Sequence, residues 1–236
     1  MRVGVFIDGQ NITIGARYAF GGGDVSGGNM HPLLLGRALA GDCELVEIRY
    51  VTGIPNPEVN KGRYQAERRR HDLMVATDVV VLEKPLRYRW EWDIRDRGLG
   101  DPRDHKGDTV EAQVKSRNVG QEKGIDVWLA LDALVMCTRA DIDKVIIATA
   151  DHDLDMVPRY LPMMPGHSGT TVAQAKVLRD GLELWDNDAY DETIAIDRAI
   201  YERSRDDFDY SHALDEGEVA KFVTRIGSAD DGIRDT

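Results

Sequence analysis

The chain has 236 residues and a formal net charge of −12, from 30 Lys and Arg against 42 Asp and Glu. This length fits one large domain with a substantial core, and the acidic balance argues against indiscriminate binding to nucleic acid. Two distant cysteines give no disulfide framework, and neither a signal-peptide pattern nor an apolar run of roughly 20 residues is present. We therefore expect a cytoplasmic protein with no membrane partner.

The first half of the chain alternates short apolar strands with helices. Strands are predicted over residues 2–7, 45–51 and 78–82, and helices over 11–20, 31–40 and 58–74. Strands that alternate with helices form crossover units, so this order predicts an α/β fold with a mainly parallel central sheet.

A different pattern follows, because residues 86–94 and 110–118 alternate strictly between apolar and polar side chains. Two such segments predict a β-hairpin inserted into the α/β body over about residues 85–118. Tyr88, Trp90 and Trp92 share one face of it. They could pack on the domain's own core, form a homodimer contact or stack RNA bases, and arginines on the opposite face make stacking the least favoured of the three.

The α/β rhythm then returns over the rest of the domain. The sequence predicts a nearly all-apolar, buried helix over 126–138, a strand over 144–148, a helix over 153–164, a strand over 171–177 and an amphipathic helix over 188–205. We expect the domain to span residues 1–200. Residues 201–236 are expected to form an acidic C-terminal extension, loose at its end.

Three acidic residues occupy equivalent places in this pattern. Asp8 follows the first strand, Asp151 follows the strand 144–148, and Asp126 opens the apolar helix. Ligands of open parallel sheets gather outside the carboxyl ends of the strands, and convergent oxygen ligands suit Mg²⁺ or Mn²⁺. Each residue also has a purely structural interpretation, as a helix cap or part of a turn.

The segments around these residues resemble a known family. DGQN (8–11), EKGIDVWLALD (122–132) and TADHD (149–153) are similar in order and spacing to the three motifs of the NYN domain, as found in LabA-like proteins of the PIN-like nuclease superfamily. The resemblance covers about residues 1–200. It implies a Rossmann-like, three-layer PIN-like fold and metal-dependent ribonuclease chemistry, with Asp8, Asp126 and Asp151 as catalytic residues and metal ligands.

Other residues receive supporting roles from the same motifs. Asn11 would hold Asp8 or a phosphate, Asp153 would orient a water, and Lys123, Thr149 and His152 are candidates for substrate contact. Asp132 lies six residues beyond Asp126, on another face of the helix, and is ranked below the others.

The sequence thus predicts a metal-dependent endoribonuclease that uses Mg²⁺ or Mn²⁺ and acts on RNA. A non-catalytic RNA-binding or regulatory module of the same fold is the alternative, because a fold does not guarantee activity. No G-x-x-x-x-G-K-[ST] motif occurs, so no nucleotide cofactor is expected.

Overall fold

The computed structural model describes residues 1–21, 28–95, 113–121, 124–167 and 169–228, with only the backbone of 90–95, 113–118 and 228. The strands in these residues are β1 (Arg2–Asp8), β2 (Glu44–Ile54), β3 (Val79–Pro85), β4 (Arg87–Arg95), β5 (Gln113–Gln121), β6 (Lys144–Ala148), β7 (Thr171–Val177) and β8 (Glu192–Ile196). The helices are α1 (Gly9–Phe20), α2 (Pro32–Ala40), α3 (Lys61–Val75), α4 (Ile125–Cys137), α5 (Met156–Tyr160), α6 (Arg198–Ser204) and α7 (Glu216–Ser228). Within these ranges no helix is both long and apolar enough to cross a membrane.

Six parallel strands form the central sheet, in the order β3-β2-β1-β6-β7-β8. From β1 the chain adds β2 and β3 on one side of the sheet, and it then adds β6, β7 and β8 on the other side of β1. The order in which strands are added therefore reverses between β1 and β6. Ile7 of β1 lies opposite Ala148 of β6. Such a reversal opens a crevice at the carboxyl ends of the strands. Asp8 and the residues after Ala148 meet at that crevice.

Helices cover both faces of the sheet, which confirms the predicted three-layer α/β fold. Side chains alternate along β1, so Val5 and Ile7 enter the core shared with α1, α2 and α6, while Phe6 enters the core shared with α4 and α5. A Cβ on Gly4 would lie 2.2 Å from Sδ of Met136 in α4. The glycine therefore allows α4 to pack closely on β1.

The inserted hairpin is confirmed, because β4 and β5 pair antiparallel in a separate two-stranded sheet. Its base is tied to the domain where Leu86 N donates to Ile54 O at 2.9 Å and Asn56 N donates to the Tyr88 hydroxyl at 3.3 Å. The side chains of Trp90 and Trp92 lie outside the described part of the chain. Their role in core packing, dimerisation or RNA stacking stays a prediction.

Helix α4 was predicted to be buried, but one of its faces is exposed. Leu129 and Ala133 are buried against the sheet, whereas Val127, Leu131 and Val135 are exposed, between 58% and 63%. The reason is that α4 lies in an outer layer and meets the sheet on one face only. An apolar composition does not distinguish a helix buried on one face from one buried on all sides.

The predicted helix over 188–205 is wrong in its first half. Residues Glu192–Ile196 form β8, which extends the sheet beside β7, and α6 begins only at Arg198. Between them Asp197 caps α6, accepting a hydrogen bond from Ile200 N at 2.8 Å. A strand of five residues offers too little alternation to be separated from a neighbouring helix by pattern alone.

The predicted helix over 153–164 is broken into shorter pieces. A 3₁₀ turn, His152–Asp155, precedes α5, and a second 3₁₀ turn, Leu161–Met163, follows it. Proline has no backbone N–H to donate, so Pro158 and Pro162 limit a continuous helix here.

Residues 206–228 pack on the domain, although the sequence predicted no helix or strand after residue 205. Phe222 and Ile226 of α7 form a third apolar core with Leu73 of α3 and with Tyr210. Residues 229–236, the end of the predicted acidic extension, lie outside the described ranges.

Candidate functional site

Asp8 ends β1 and caps α1 at the crevice. Its Oδ1 accepts a hydrogen bond from Asn11 N at 3.0 Å, and its Oδ2 accepts one from the Thr149 hydroxyl at 3.1 Å. The residue is only 5% exposed. Burial raises the pKa of Asp8 to about 6, the two hydrogen bonds oppose the rise, and the charges of Asp126 and Asp151 add to it.

Asn11 and Thr149 tie the end of β1 to the segment that leaves β6. Asn11 Oδ1 accepts from Ala150 N at 2.9 Å, while the Thr149 hydroxyl accepts from Asp151 N at 3.1 Å. Thr149 is completely buried. Both residues therefore hold backbone and Asp8 in fixed positions, and their functional roles stay predictions.

Asp151 caps the 3₁₀ turn that follows β6, where its Oδ1 accepts from Asp153 N at 2.9 Å. His152 is exposed and its Nδ1 lies 3.1 Å from Asp155 Oδ2. Asp155 also accepts from Asn187 Nδ2 at 2.9 Å. Asp155 thus contributes to the packing of the turn, whereas Asp151 and Asp153 lie at the crevice.

Asp126 lies in the first turn of α4 and faces these acids. Burial raises the pKa of Asp126, and the charges of Asp151 and Asp153 raise it further. Gly124, directly before α4, has a φ of +72°, and Lys84 Nζ of β3 lies 3.1 Å from the position of a Cβ there. A cation from another strand thus approaches the N-terminus of α4. Lys123 lies outside the described residues.

Asp132 is not part of the crevice. Its Oδ2 accepts from Arg49 Nη1 of β2, and Arg49 also pairs with Glu47. The residue therefore belongs to a half-buried ion network on the face of the sheet beneath α4. This outcome agrees with its lower rank in the sequence.

The donor chemistry of the crevice fits a magnesium or manganese ion. Asp8, Asp126 and Asp151 offer carboxylate oxygens, which are the ligands that both ions prefer. Across the described ranges, however, no three His, Cys, Asp or Glu side chains are already arranged to hold one ion. The carboxylates are within electrostatic reach of one another, and binding of an ion would require them to move closer together.

Sequence reasoning missed two residues beside this site. Lys84 ends a strand that lies about 40 positions before the motif it approaches, and Asn187 belongs to a loop without a recognisable motif. No signal in the sequence points to Asn187. The only signal for Lys84 is its place at the carboxyl end of a predicted strand.

Comparison with known proteins identifies a family. A family model described as the NYN domain matches residues 2–164. A crystal structure of a protein of unknown function from Vibrio parahaemolyticus is similar in fold, with a TM-score of 0.48 and 19% identity over 84% of this chain and 93% of that chain. No curated protein matches the sequence.

Proposed function

The chain belongs to the NYN domain family of the PIN-like nuclease superfamily, and we propose that it is a metal-dependent endoribonuclease. One observation carries this proposal. Asp8, Asp126 and Asp151 come from three separate elements to the crevice where the strand order reverses; burial raises the pKa values of Asp8 and Asp126 there, and the charge of Asp151 raises both further. Carboxylates that repel one another in this way favour a cation among them.

A Mg²⁺ or Mn²⁺ ion bound in the crevice would stabilise charge on a scissile phosphate and lower the pKa of an attacking water. Asp8, Asp126 and Asp151 would hold it. Asn11 and Thr149 keep the Asp8 carboxylate oriented through the hydrogen bonds described above. Their contribution is positional, since neither has to exchange a proton with the substrate.

Further residues near the crevice also receive a proposed role. Asp153 is exposed beside Asp151, and we propose that it orients a water at the crevice. Lys84 at the N-terminus of α4 places positive charge on the approach of a phosphate, and we propose the same role for Lys123. His152 is exposed beside the crevice and remains a proposed substrate contact. The proposed partner is RNA.

The test is cleavage of an end-labelled single-stranded RNA by purified protein. We expect cleavage with Mg²⁺ or Mn²⁺, none with EDTA, and a decrease of at least about 100-fold for Asp151→Asn, which keeps the shape of the side chain but loses its charge. Asp143→Asn is the matched control, because Asp143 is an exposed partner of Arg2 at the opposite end of β6. Its activity should stay within about twofold of the native value.

The non-catalytic alternative has one observation in its favour, which is that the described acids are not yet arranged around one ion. It predicts RNA binding without cleavage at any metal concentration. Binding that is unchanged in Asp151→Asn, together with no cleavage by the native protein, would replace the nuclease proposal with this alternative.

A further inference from the structure

A second concave surface lies between α1 and the end of β7, which we call the aromatic cleft. It has a volume of about 310 Å³. Tyr18 comes from α1, and Arg179, Leu182, Glu183 and Trp185 come from the segment that follows β7. Neither the motifs nor the proposed chemistry of the acidic site involves these residues.

The aromatic side chains of the cleft are unusually exposed. Tyr18 is 82% exposed and Trp185 is 78% exposed, the two highest values among the large apolar side chains that the structure describes. Exposed aromatic surface of this size is costly in water, and large exposed apolar groups commonly mark a binding surface. Because both residues line the same cleft, one flat apolar ligand could contact both.

The backbone that carries these side chains is held in place. Gly15 of α1 packs against Val177 of β7, with its Cβ position 3.4 Å from the valine side chain. Lys176 Nζ donates to Trp185 O, and Leu182 N donates to Arg179 O at 3.1 Å. A stacking surface on fixed elements loses little conformational entropy when a ligand binds.

The same segment connects the cleft to the acidic site. Two residues after Trp185, Asn187 donates to Asp155 at 2.9 Å and to Gln174 at 3.3 Å. Asp155 belongs to the 3₁₀ turn that Asp151 caps. On the other side of the cleft, α1 begins directly after Asp8. Each wall of the cleft thus belongs to a segment that follows a residue of the acidic site or contacts the turn beside it.

We propose that the aromatic cleft binds an unpaired base of the RNA strand whose backbone enters the acidic site. Bases present flat aromatic faces that stack on Tyr and Trp side chains irrespective of sequence. Glu183 in the lining repels a phosphate but not a neutral base, while Arg179 can pair with the backbone phosphate beside the base. This inference rests on the proposed function and adds a base-stacking subsite outside the acidic site.

The test is the affinity of native protein for a fluorescein-labelled, single-stranded adenosine decamer, measured by fluorescence anisotropy with EDTA present so that the RNA stays intact. One stacked base contributes roughly a 5- to 150-fold change in affinity. We expect Trp185→Ala and Tyr18→Ala each to weaken binding at least about fivefold. Trp185→Phe, which keeps an aromatic ring, should stay within about twofold of native.

Three controls separate stacking from general effects. Tyr160→Ala removes a half-exposed aromatic from α5, on the opposite face of the sheet, and should leave the affinity unchanged. A decamer without bases should bind native protein at least as weakly as the adenosine decamer binds Trp185→Ala. Fully paired RNA should bind equally well to native protein and to Trp185→Ala.

The inference is wrong if Trp185→Ala binds the adenosine decamer as tightly as native protein, or if native protein does not bind it. Cleavage with metal separates this result from failure of the proposed function. Native protein that cleaves RNA, with an unchanged KM in Trp185→Ala, would reject the stacking subsite alone. Binding that depends on Trp185 without any cleavage would reject the nuclease and keep the subsite.

Discussion

At the scale of single residues, the main feature is the high pKa of a buried carboxylate. Asp8 is held by two hydrogen bonds, yet burial still raises its pKa from 3.8 to about 6. A group in this state destabilises the folded protein when it ionises. Destabilising charges that persist in a protein are typical of functional sites.

The pH dependence of stability follows from this shift in the metal-free protein. Between pH of about 4 and about 6, folded protein keeps a proton on Asp8 that the unfolded chain has released. The folded state binds more protons in this window, so the free energy of unfolding falls as the pH rises through it, by about 3 kcal/mol in all. Asp8→Asn should lack this component.

Urea unfolding with EDTA at pH 4 and pH 7 measures the effect as the difference between native protein and Asp8→Asn. Titrating groups that do not interact with Asp8 contribute equally to both proteins and cancel. Burial of His31, for example, lowers its pKa to about 4 and gives a dependence of opposite sign. If the free energy of unfolding changed equally between pH 4 and pH 7 in native protein and in Asp8→Asn, the raised pKa of Asp8 would be contradicted.

At the scale of elements, α4, which carries Asp126, packs closely on β1. Gly4→Ala would place a Cβ 2.2 Å from Met136 Sδ, so the methionine or the helix must move. We expect a loss of about 1–3 kcal/mol, because crowding of a packed core forces shifts of this size. The double variant Gly4→Ala/Met136→Ala makes room for the new methyl group.

Thermal unfolding tests this contact. Gly4→Ala is compared with native protein, and the double variant is compared with Met136→Ala. Gly4→Ala should destabilise native protein and should cost clearly less in a Met136→Ala background. An equal cost in both backgrounds would show that Met136 does not limit the approach of α4.

The sequence predicted the strands next to the site better than the rest of the elements. The apolar runs of β1 and β6 end directly at Asp8 and Thr149, so their place at the carboxyl edge could be derived from the pattern alone. The exposed side of α4 and the short strand β8 depend on which neighbours lie beside them. Such information is tertiary and has no local pattern.

Within the site, too, some features follow from the local sequence pattern and others only from the tertiary structure. Asp8 and Asp151 are marked by their strands, and Asp126 by the start of an apolar helix. Their hydrogen-bond partners lie up to 141 positions away, as for Thr149 and Asp8, and follow only from the order of strands in the sheet. The aromatic cleft is formed by residues that the sequence analysis did not single out.

At the scale of the whole molecule, the C-terminal extension is joined to the domain by a buried charge. Asp206 is buried and accepts from Arg70 Nε at 3.3 Å and from the Tyr210 hydroxyl at 3.0 Å. Arg70 is itself buried in α3. Loss of one partner from a buried ion pair leaves the other charge uncompensated.

We therefore expect Asp206→Asn to lower the free energy of unfolding by roughly 3 kcal/mol. Asp207→Asn is the control from the adjacent position, because the pair that Asp207 forms with Arg225 is exposed. That change should cost less than about 1 kcal/mol. Urea unfolding compares the two, and equal losses would mean that the buried pair does not anchor the segment.

The central claim is that Asp8, Asp126 and Asp151 bind one divalent ion together, and titration of Mn²⁺ followed by electron paramagnetic resonance tests it most directly. Native protein should bind Mn²⁺, and each single Asp→Asn change at these three positions should weaken binding at least about tenfold. Asp143→Asn, at the far end of β6, should bind as native protein does. No binding by native protein, or equal binding by native protein and all three variants, would contradict the claim.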